Sequence, residues 1–248
     1  MIFKKPLTVY WAPDIPPVTS GEQFDWSLSY VPPYSLYKEV VDNVNKDNPG
    51  TSMLACPAFK GMASNMFILS STGGVDYTYD QKEHVFKNNL TENFIGLRPN
   101  RLNNMNDRVH LAISFGWFLF CEEPLEFELT SPYFSDAPHL SQGSIVPGSF
   151  DVSKWFRSIN AEFVLKSGVT RFATAPYEPM AYLKLKTDRK IVFKRFIADT
   201  ELWGIGSTCT RSSLLFGSNL PLVDRYAQFL NTGTNKKVLY HIKKNLVD

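Results

Sequence analysis

Val109-His110-Leu111-Ala112-Ile113-Ser114-Phe115-Gly116-Trp117-Phe118-Leu119-Phe120 decides the fold class, together with Leu125-Glu126-Phe127-Glu128-Leu129-Thr130 beyond the turn at Glu122-Glu123-Pro124. In the first run Val109, Leu111, Ile113, Phe115, Trp117 and Leu119 fall on one side of an extended chain. His110, Ala112, Ser114, Gly116, Phe118 and Phe120 fall on the other. That is the period of two of a β-strand. In the second run Leu125, Phe127 and Leu129 alternate with Glu126, Glu128 and Thr130, the pattern of a half-exposed strand. Glu122 and Glu123 are read as turn residues.

Further strands are expected at 66–70, 75–79, 161–166, 169–174, 180–186 and 190–196. Ser71-Thr72-Gly73-Gly74 reads as a hairpin turn between the first two. Lys166-Ser167-Gly168 and Thr187-Asp188-Arg189 read as turns between the later ones. The spacing predicts antiparallel meanders or a Greek key in two packed sheets. The expected fold is therefore mainly β, with an antiparallel sandwich or jelly-roll-like body over residues 52–196.

Two segments flank this body. Residues 1–51 are predicted to be a Pro-rich and aromatic-rich arm that hugs the surface, followed by one helix. Ser35 caps that helix, Leu36, Val40, Val41 and Val44 form its apolar face, and Asn48-Pro49-Gly50 ends it. Residues 197–248 are predicted to be a helical segment packed on the body. Leu222, Tyr226, Phe229 and Leu230 form one stripe there, and Val238, Leu239, Ile242 and Leu246 a second.

Composition agrees with a β-rich domain. The chain has 248 residues, 44% of them apolar and 14% aromatic, which excludes a disordered tail, a coiled coil and a collagen-like repeat. The 26 basic and 24 acidic side chains nearly balance, which argues against nucleic acid or an anionic membrane as a partner. Cys56, Cys121 and Cys209 form no CxxC pair and no disulfide framework, as expected of thiols in a reducing compartment. The run from Leu7 to Ala12 is short for a signal peptide and is broken by Pro13, Pro16 and Pro17. The longest apolar stretch falls well short of a spanning helix. A soluble chain not secreted by a signal peptide is expected.

No P-loop, dinucleotide fingerprint, nucleophile elbow or HExxH motif is present. None of His84, His110, His139 and His241 has a second ligand at metal-binding spacing. A facial triad would need His110 and His139 to meet in space beside a carboxylate, so these two are the weak metal candidates. The densest polar stretch is 96–110, with Arg98, Arg101 and Arg108 among four asparagines, just ahead of the strongest strand. Guanidinium forks suit phosphate or carboxylate. A ligand site, if the chain has one, is placed at that strand's mouth, from Arg98, Arg101, Asn106, Arg108 and His110, with Trp155 and Arg157 as contributors. The plainer reading is favoured: the arginines tie the loop to Asp107, Glu122 and Glu123. In Ser149–Arg157, Asp151 or Ser153 is expected to cap a turn that carries Trp155 and Phe156 inward. An anchor is favoured there over a Trp–Arg ligand clamp.

Three stretches carry a family likeness: Phe3-Lys4-Lys5-Pro6 through Tyr10-Trp11-Ala12-Pro13, Leu54-Ala55-Cys56-Pro57-Ala58, and Pro147-Gly148-Ser149-Phe150 to Trp155-Phe156-Arg157. Glu178-Pro179-Met180-Ala181-Tyr182 and Lys194-Arg195-Phe196 continue it. In these the chain resembles an uncharacterised family of proteins of marine bacteriophages, cyanophages included. The resemblance implies a viral origin, with host cytoplasm or virion as the location, and supplies no catalytic residue or cofactor. Two function classes follow. One is a phage-encoded binding or structural accessory protein that meets a virion or host protein, or a small anionic ligand, through a surface or shallow pocket. The other is a small-molecule enzyme of the infected cell, metal- or nucleotide-dependent, on a β-barrel.

Overall fold

The computed structural model describes residues 4–14, 31–43, 53–70, 74–83, 85–88, 109–210 and 221–247. In chain order the elements are β1 (Leu7–Pro13), β2 (Tyr34–Ser35), α1 (Leu36–Asn43), α2 (Pro57–Ala63), β3 (Met66–Ser70), β4 (Val75–Asp80), β5 (Val85–Asn88), β6 (His110–Cys121) and β7 (Glu126–Thr130). Then come α3 (His139–Gln142), β8 (Gly143–Ile145), β9 (Gly148–Asp151), β10 (Ser158–Leu165), β11 (Arg171–Thr174), β12 (Pro179–Leu185), β13 (Ile191–Arg195), α4 (Thr200–Thr210), α5 (Leu222–Asn231) and α6 (Thr234–Lys244). Strand predominates, as the alternating runs predict.

The strands form three sheets, ordered β13-β1-β6-β10-β8, β2-β3-β12-β7-β9 and β11-β4-β5. None is closed. Among the described residues every strand pairing is antiparallel except β1 with β13. From β6 to β10 successive strands alternate between the two five-stranded sheets. We call the sheet holding β6 the first and the one holding β12 the second.

The long strand β6 behaves as its sequence dictates. Leu111, Ile113, Trp117 and Leu119 enter a central cluster with Leu7, Val9 and Trp11 of β1 and Phe163 of β10. Leu183 of β12 and Phe127 of β7, from the second sheet, join it. Phe118 and Phe120 point the other way, into a cluster with Tyr10, Phe156, Phe196, Leu202, Phe229, Val238 and Ile242. The C-terminal helices thus cover the outer face of the first sheet. A third cluster, Leu36, Val40, Phe59 and Ala63 against Met66, Ile68 and Tyr182, places α1 and α2 on the outer face of the second.

β6 is too long to stay straight. Its first half pairs with β10 and its last five residues with β1. Between the pairs Ser114↔Asn160 and Phe118↔Ser158, residues 115–117 oppose a single residue of β10. Gly116 takes φ 68° there, a conformation in which a side chain would be strained, and its carbonyl accepts the Asp14 N–H at 2.6 Å. Such a bulge bends a strand and re-aims it.

Three expectations are corrected. Residues 7–13 do not lie on the surface as an arm: β1 sits inside the first sheet between β13 and β6 and is almost wholly buried. Its prolines delimit the strand, Pro6 preceding it and Pro13 closing it, where a missing N–H does least harm to the ladder. Ser71, Thr72 and Gly73 lie outside the described residues, and the strands on either side are not a hairpin, because β3 pairs with β12 and β2 while β4 pairs with β11 and β5. Likewise the turns at 166–168 and 187–189 join strands of different sheets, not meander neighbours. Turn chemistry sets a local reversal; it does not choose the sheet that receives the next strand.

Side chains lock the layers. Lys184 of β12 donates to the carbonyls of Gly61 at 3.1 Å, Met62 at 2.8 Å and Ser64. A cation on the last carbonyls of a helix satisfies them and suits the dipole. Asn65 holds φ 49° while its amide donates to Thr187 O and Arg189 O, each at 2.8 Å. No helix among the described residues is long and apolar enough to cross a membrane.

One helix–sheet contact gives a sharp test. A Cβ at Gly206 of α4 would lie 2.5 Å from the Phe118 ring, whereas one at Gly204 would meet nothing within 4 Å. Gly206→Ala is expected to lower stability by about 1–3 kcal/mol through overpacking. Gly204→Ala is expected to be neutral or to stabilise by up to about 1 kcal/mol through helix propensity. Urea unfolding of both variants checks the contrast.

Candidate functional site

At the mouth of β6, Arg98, Arg101, Asn106 and Arg108 lie outside the described residues. His110 opens the strand on the outer face of the first sheet, opposite Val164. The diagonal neighbour on β10, Glu162, pairs with Ala112 and sends Oε1 to within 2.7 Å of His110 Nδ1. The imidazole is nearly buried and the carboxylate half exposed. With Nδ1–H donating to the carboxylate, the ring is fixed in one tautomer and Nε2 is the basic nitrogen. That is the minimal arrangement for moving a proton.

His139 is elsewhere. It begins α3 and is fully buried, its ring against Phe163 of β10 at 6.1 Å and Phe172 of β11 at 6.0 Å. Phe163 points into the central cluster, and Val164, the partner of His110, points outward. The two histidines therefore lie on opposite faces of the first sheet and do not meet. Among the described residues no group of three or more His, Cys, Asp or Glu side chains is gathered to hold a metal ion.

Trp155 and Arg157 come together as an internal anchor. Asp151 Oδ1 accepts the N–H of Ser153 at 2.9 Å, its hydroxyl at 2.7 Å and the N–H of Leu125 at 3.2 Å. This is the expected capped turn, and it carries Trp155 and Phe156 inward. The indole contacts Phe150 at 4.5 Å, stacks on Tyr226 of α5 at 5.3 Å and carries the Arg157 guanidinium 4.3 Å from its centroid. Its surroundings are occupied by the protein's own groups, so it pins α5 to the body.

The turn carboxylates also have partners of their own. Glu123 is held by the Arg189 fork at 2.6 and 3.0 Å, and the same guanidinium donates to Lys5 O and Pro6 O. The guanidinium beside Glu123 holds its carboxyl below the ordinary carboxylate pKa. Glu122 meets Lys243 of α6 at 3.1 Å. Cys121 is buried, and burial pushes its thiol up to about 11, which makes it a poor nucleophile.

The sequence shows no short-range sign of these pairings. Glu162 reaches His110 through the β6–β10 register, and Glu178 comes to 3.8 Å from His139 out of the turn before β12. Asp199 likewise joins distant segments: its Oδ2 accepts from Asn245 at 2.7 Å and lies 3.2 Å from His241 Nδ1, while Oδ1 caps α4 at the Leu202 N–H at 2.8 Å.

A surface feature was also not foreseen. Tyr133 and Phe134, in the loop after β7, are 49% and 46% exposed. They meet edge to face at 5.0 Å. Tyr133 packs on Tyr182 and Phe134 on Phe59, and Tyr37 of α1 stacks on Phe59 at 6.4 Å. Tyr34, Tyr37 and Met53, from the segments that enter α1 and α2, are exposed as well. Aromatic side chains that are rigidly backed yet open to solvent have the character of interface anchors.

The chain matches no protein-family model, no curated protein and no solved structure.

Two predictions follow from the anchors. Trp155→Ala is expected to cost about 3–5 kcal/mol, the range for truncating a buried tryptophan, read by chemical denaturation. For Asp199, burial opposes its charge, but the bonds from Leu202, His241 and Asn245 outweigh that and hold its carboxyl below the ordinary 3.8. A depressed carboxylate stabilises the fold above its unfolded value, and that contribution is lost as pH falls through the folded value. The stability gap between the wild type and Asp199→Asn should therefore be full at pH 5 and close as the pH falls below 3.8, followed by thermal melts across that range.

Proposed function

We propose that this protein is a phage-encoded binding or structural accessory protein that meets a virion or host protein through a surface. The exposed aromatic group of Tyr133, Phe134, Tyr37 and Tyr34 carries this reading. Its backing by Phe59 and Tyr182 means that little side-chain freedom remains to be lost on binding. The paired acids and bases described above support it from the other direction, because their charges are engaged within the fold. The viral origin rests on the resemblance of the N-terminal, 54–58 and 147–157 stretches. The alternation of strands between two five-stranded sheets supports a sandwich with jelly-roll-like wiring as the body that presents this surface. Host cytoplasm or virion is the location this reading implies.

The second reading, an enzyme of the infected cell, is favoured by one observation, the His110–Glu162 pair. It requires Arg98, Arg101 or Arg108 to bring an anionic substrate to that pair. Metal analysis of tag-free protein with a nucleotide and 2-oxoglutarate thermal-shift panel tests it; no metal and no shift would remove its support.

For the binding reading, mass spectrometry of purified particles and of infected-cell complexes should find the chain in one assembly at stoichiometric abundance. Tyr133→Ser with Phe134→Ser should reduce that incorporation at least tenfold while the melting temperature changes by only a few degrees. Unchanged incorporation of the double variant, or absence of the chain from every assembly, would overturn the assignment.

A further inference from the structure

His139 is unusual among the described histidines. Its side chain is fully buried, and neither ring nitrogen has a hydrogen-bond partner among the described residues. Its nearest charge is Glu178 Oε2, 3.8 Å from Nδ1. That is an electrostatic contact rather than a hydrogen bond, and the same oxygen accepts the Ala175 N–H at 3.0 Å. A buried polar group left unsatisfied costs free energy and calls for an explanation.

The position of the ring supplies one. His139 starts the single turn of α3, its ring packed against Phe163 of β10 and Phe172 of β11, which themselves meet at 5.0 Å. From α3 the chain runs directly into β8, the edge strand of the first sheet, which is paired only to β10. The joint is tight: a Cβ at Gly143 would sit 2.8 Å from Val164 O. Gln142 adds two fastenings. Its side chain accepts the Ala173 N–H at 2.7 Å, and its carbonyl accepts the Lys166 N–H at 2.9 Å. Among the described residues β8 is thus held at one end by the slot that holds His139.

The groups facing the ring can be enumerated. Glu178 approaches from the turn before β12. Tyr77 of β4 lies opposite Phe172 on the same sheet, its hydroxyl made less acidic by burial. The inward residues of β10, Ala161, Phe163 and Leu165, are apolar, and β8 carries no ionisable group. Arg171 is turned to Asp76, with which it makes bonds of 2.8 and 2.5 Å. Only Glu178 favours a charged imidazole, and it stands beyond bonding distance.

We propose that His139 is a proton-operated latch on the α3–β8 segment. While the imidazole is neutral, it stays packed in its apolar slot against the two phenylalanines and keeps β8 on β10. When the ring takes up a proton, the apolar slot no longer holds it. The charged ring moves out toward Glu178 and water, α3 is released, and the edge of β10 from Glu162 to Leu165 is uncovered. An unpaired strand edge is a template for β-augmentation by another chain, so acid converts a covered edge into one able to pair.

Burial moves the proton affinity of the ring in the required direction, below the ordinary value of 6.5, with Glu178 opposing it. A histidine held neutral in the closed form and free to titrate in the open form loses closed-state stability as pH falls through the open-form value. One such proton enlarges the opening equilibrium by up to about tenfold between pH 7.5 and pH 5.5.

Hydrogen exchange of the full chain, corrected for intrinsic rates, tests the latch. Peptides covering 137–146 and 158–165 should lose protection severalfold, up to about tenfold, between pH 7.5 and 5.5, while peptides of β12 should not. His139→Phe should abolish the pH dependence, because phenylalanine fills the slot and binds no proton. PH-independent protection in the wild type, or the same loss in His139→Phe, would overturn the proposal. Should His139→Phe fail to fold, an NMR titration of the His139 imidazole decides. Protonation that coincides with the loss of protection supports the latch, and a ring that stays neutral while protection is lost sinks it.

Discussion

Burial of β6 on both faces is the constraint from which the layered architecture follows. A strand with Leu111, Ile113, Trp117 and Leu119 on one side and Phe118 and Phe120 on the other cannot face water on either. One side needs the second sheet and the other needs helices. The Trp11–Trp117 stack, 5.1 Å between centroids, makes β1 the neighbour that completes the inner face. The 4.9 Å stack of Phe118 on Phe156 does the same for the outer one. Each aromatic removes a large apolar area from water, at roughly 25 cal/mol per Å², so these contacts outweigh the surface ion pairs in holding the layers together.

Polar side chains serve a different purpose. Lys184 on the end of α2, Arg189 on Glu123 and the N-terminal carbonyls, and Asp199 between α4 and α6 each join segments far apart in sequence, and Asp151 ties the Trp155 turn to Leu125. Exposed pairs add little to stability singly. Their value lies in register and orientation, since each satisfies backbone groups that helices and turns leave open. The aromatic surface around Tyr133 and Phe134 is presented by this scaffold: Tyr182 lies on β12 and Phe59 on the helix that Lys184 caps.

Local order was legible wherever a period repeats. Alternation in 109–120 and 125–130 located β6 and β7 and identified their inner faces, because side-chain direction in a strand is fixed by parity. Ser35 was recognisable as a cap, and its hydroxyl accepts the Lys38 N–H at 3.4 Å. The stripe containing Val238 and Ile242 marked the buried face of α6. The partners of His110 and His139 were not legible. Glu162 lies 52 residues from His110, and only the β6–β10 register brings them together.

By itself the sequence determined the β-rich class, the period and parity of its best strands, the turn positions and the helical C-terminal segment, all consequences of chain geometry acting over a few residues. Tertiary structure alone decided which sheet receives each strand, that Leu7–Pro13 is an interior strand, that two histidines near one strand end are separated by a sheet, and that Trp155 stacks against Tyr226. Those outcomes depend on contacts between segments far apart in the chain. Their selection rests on the summed burial of many side chains, which no single stretch of sequence contains.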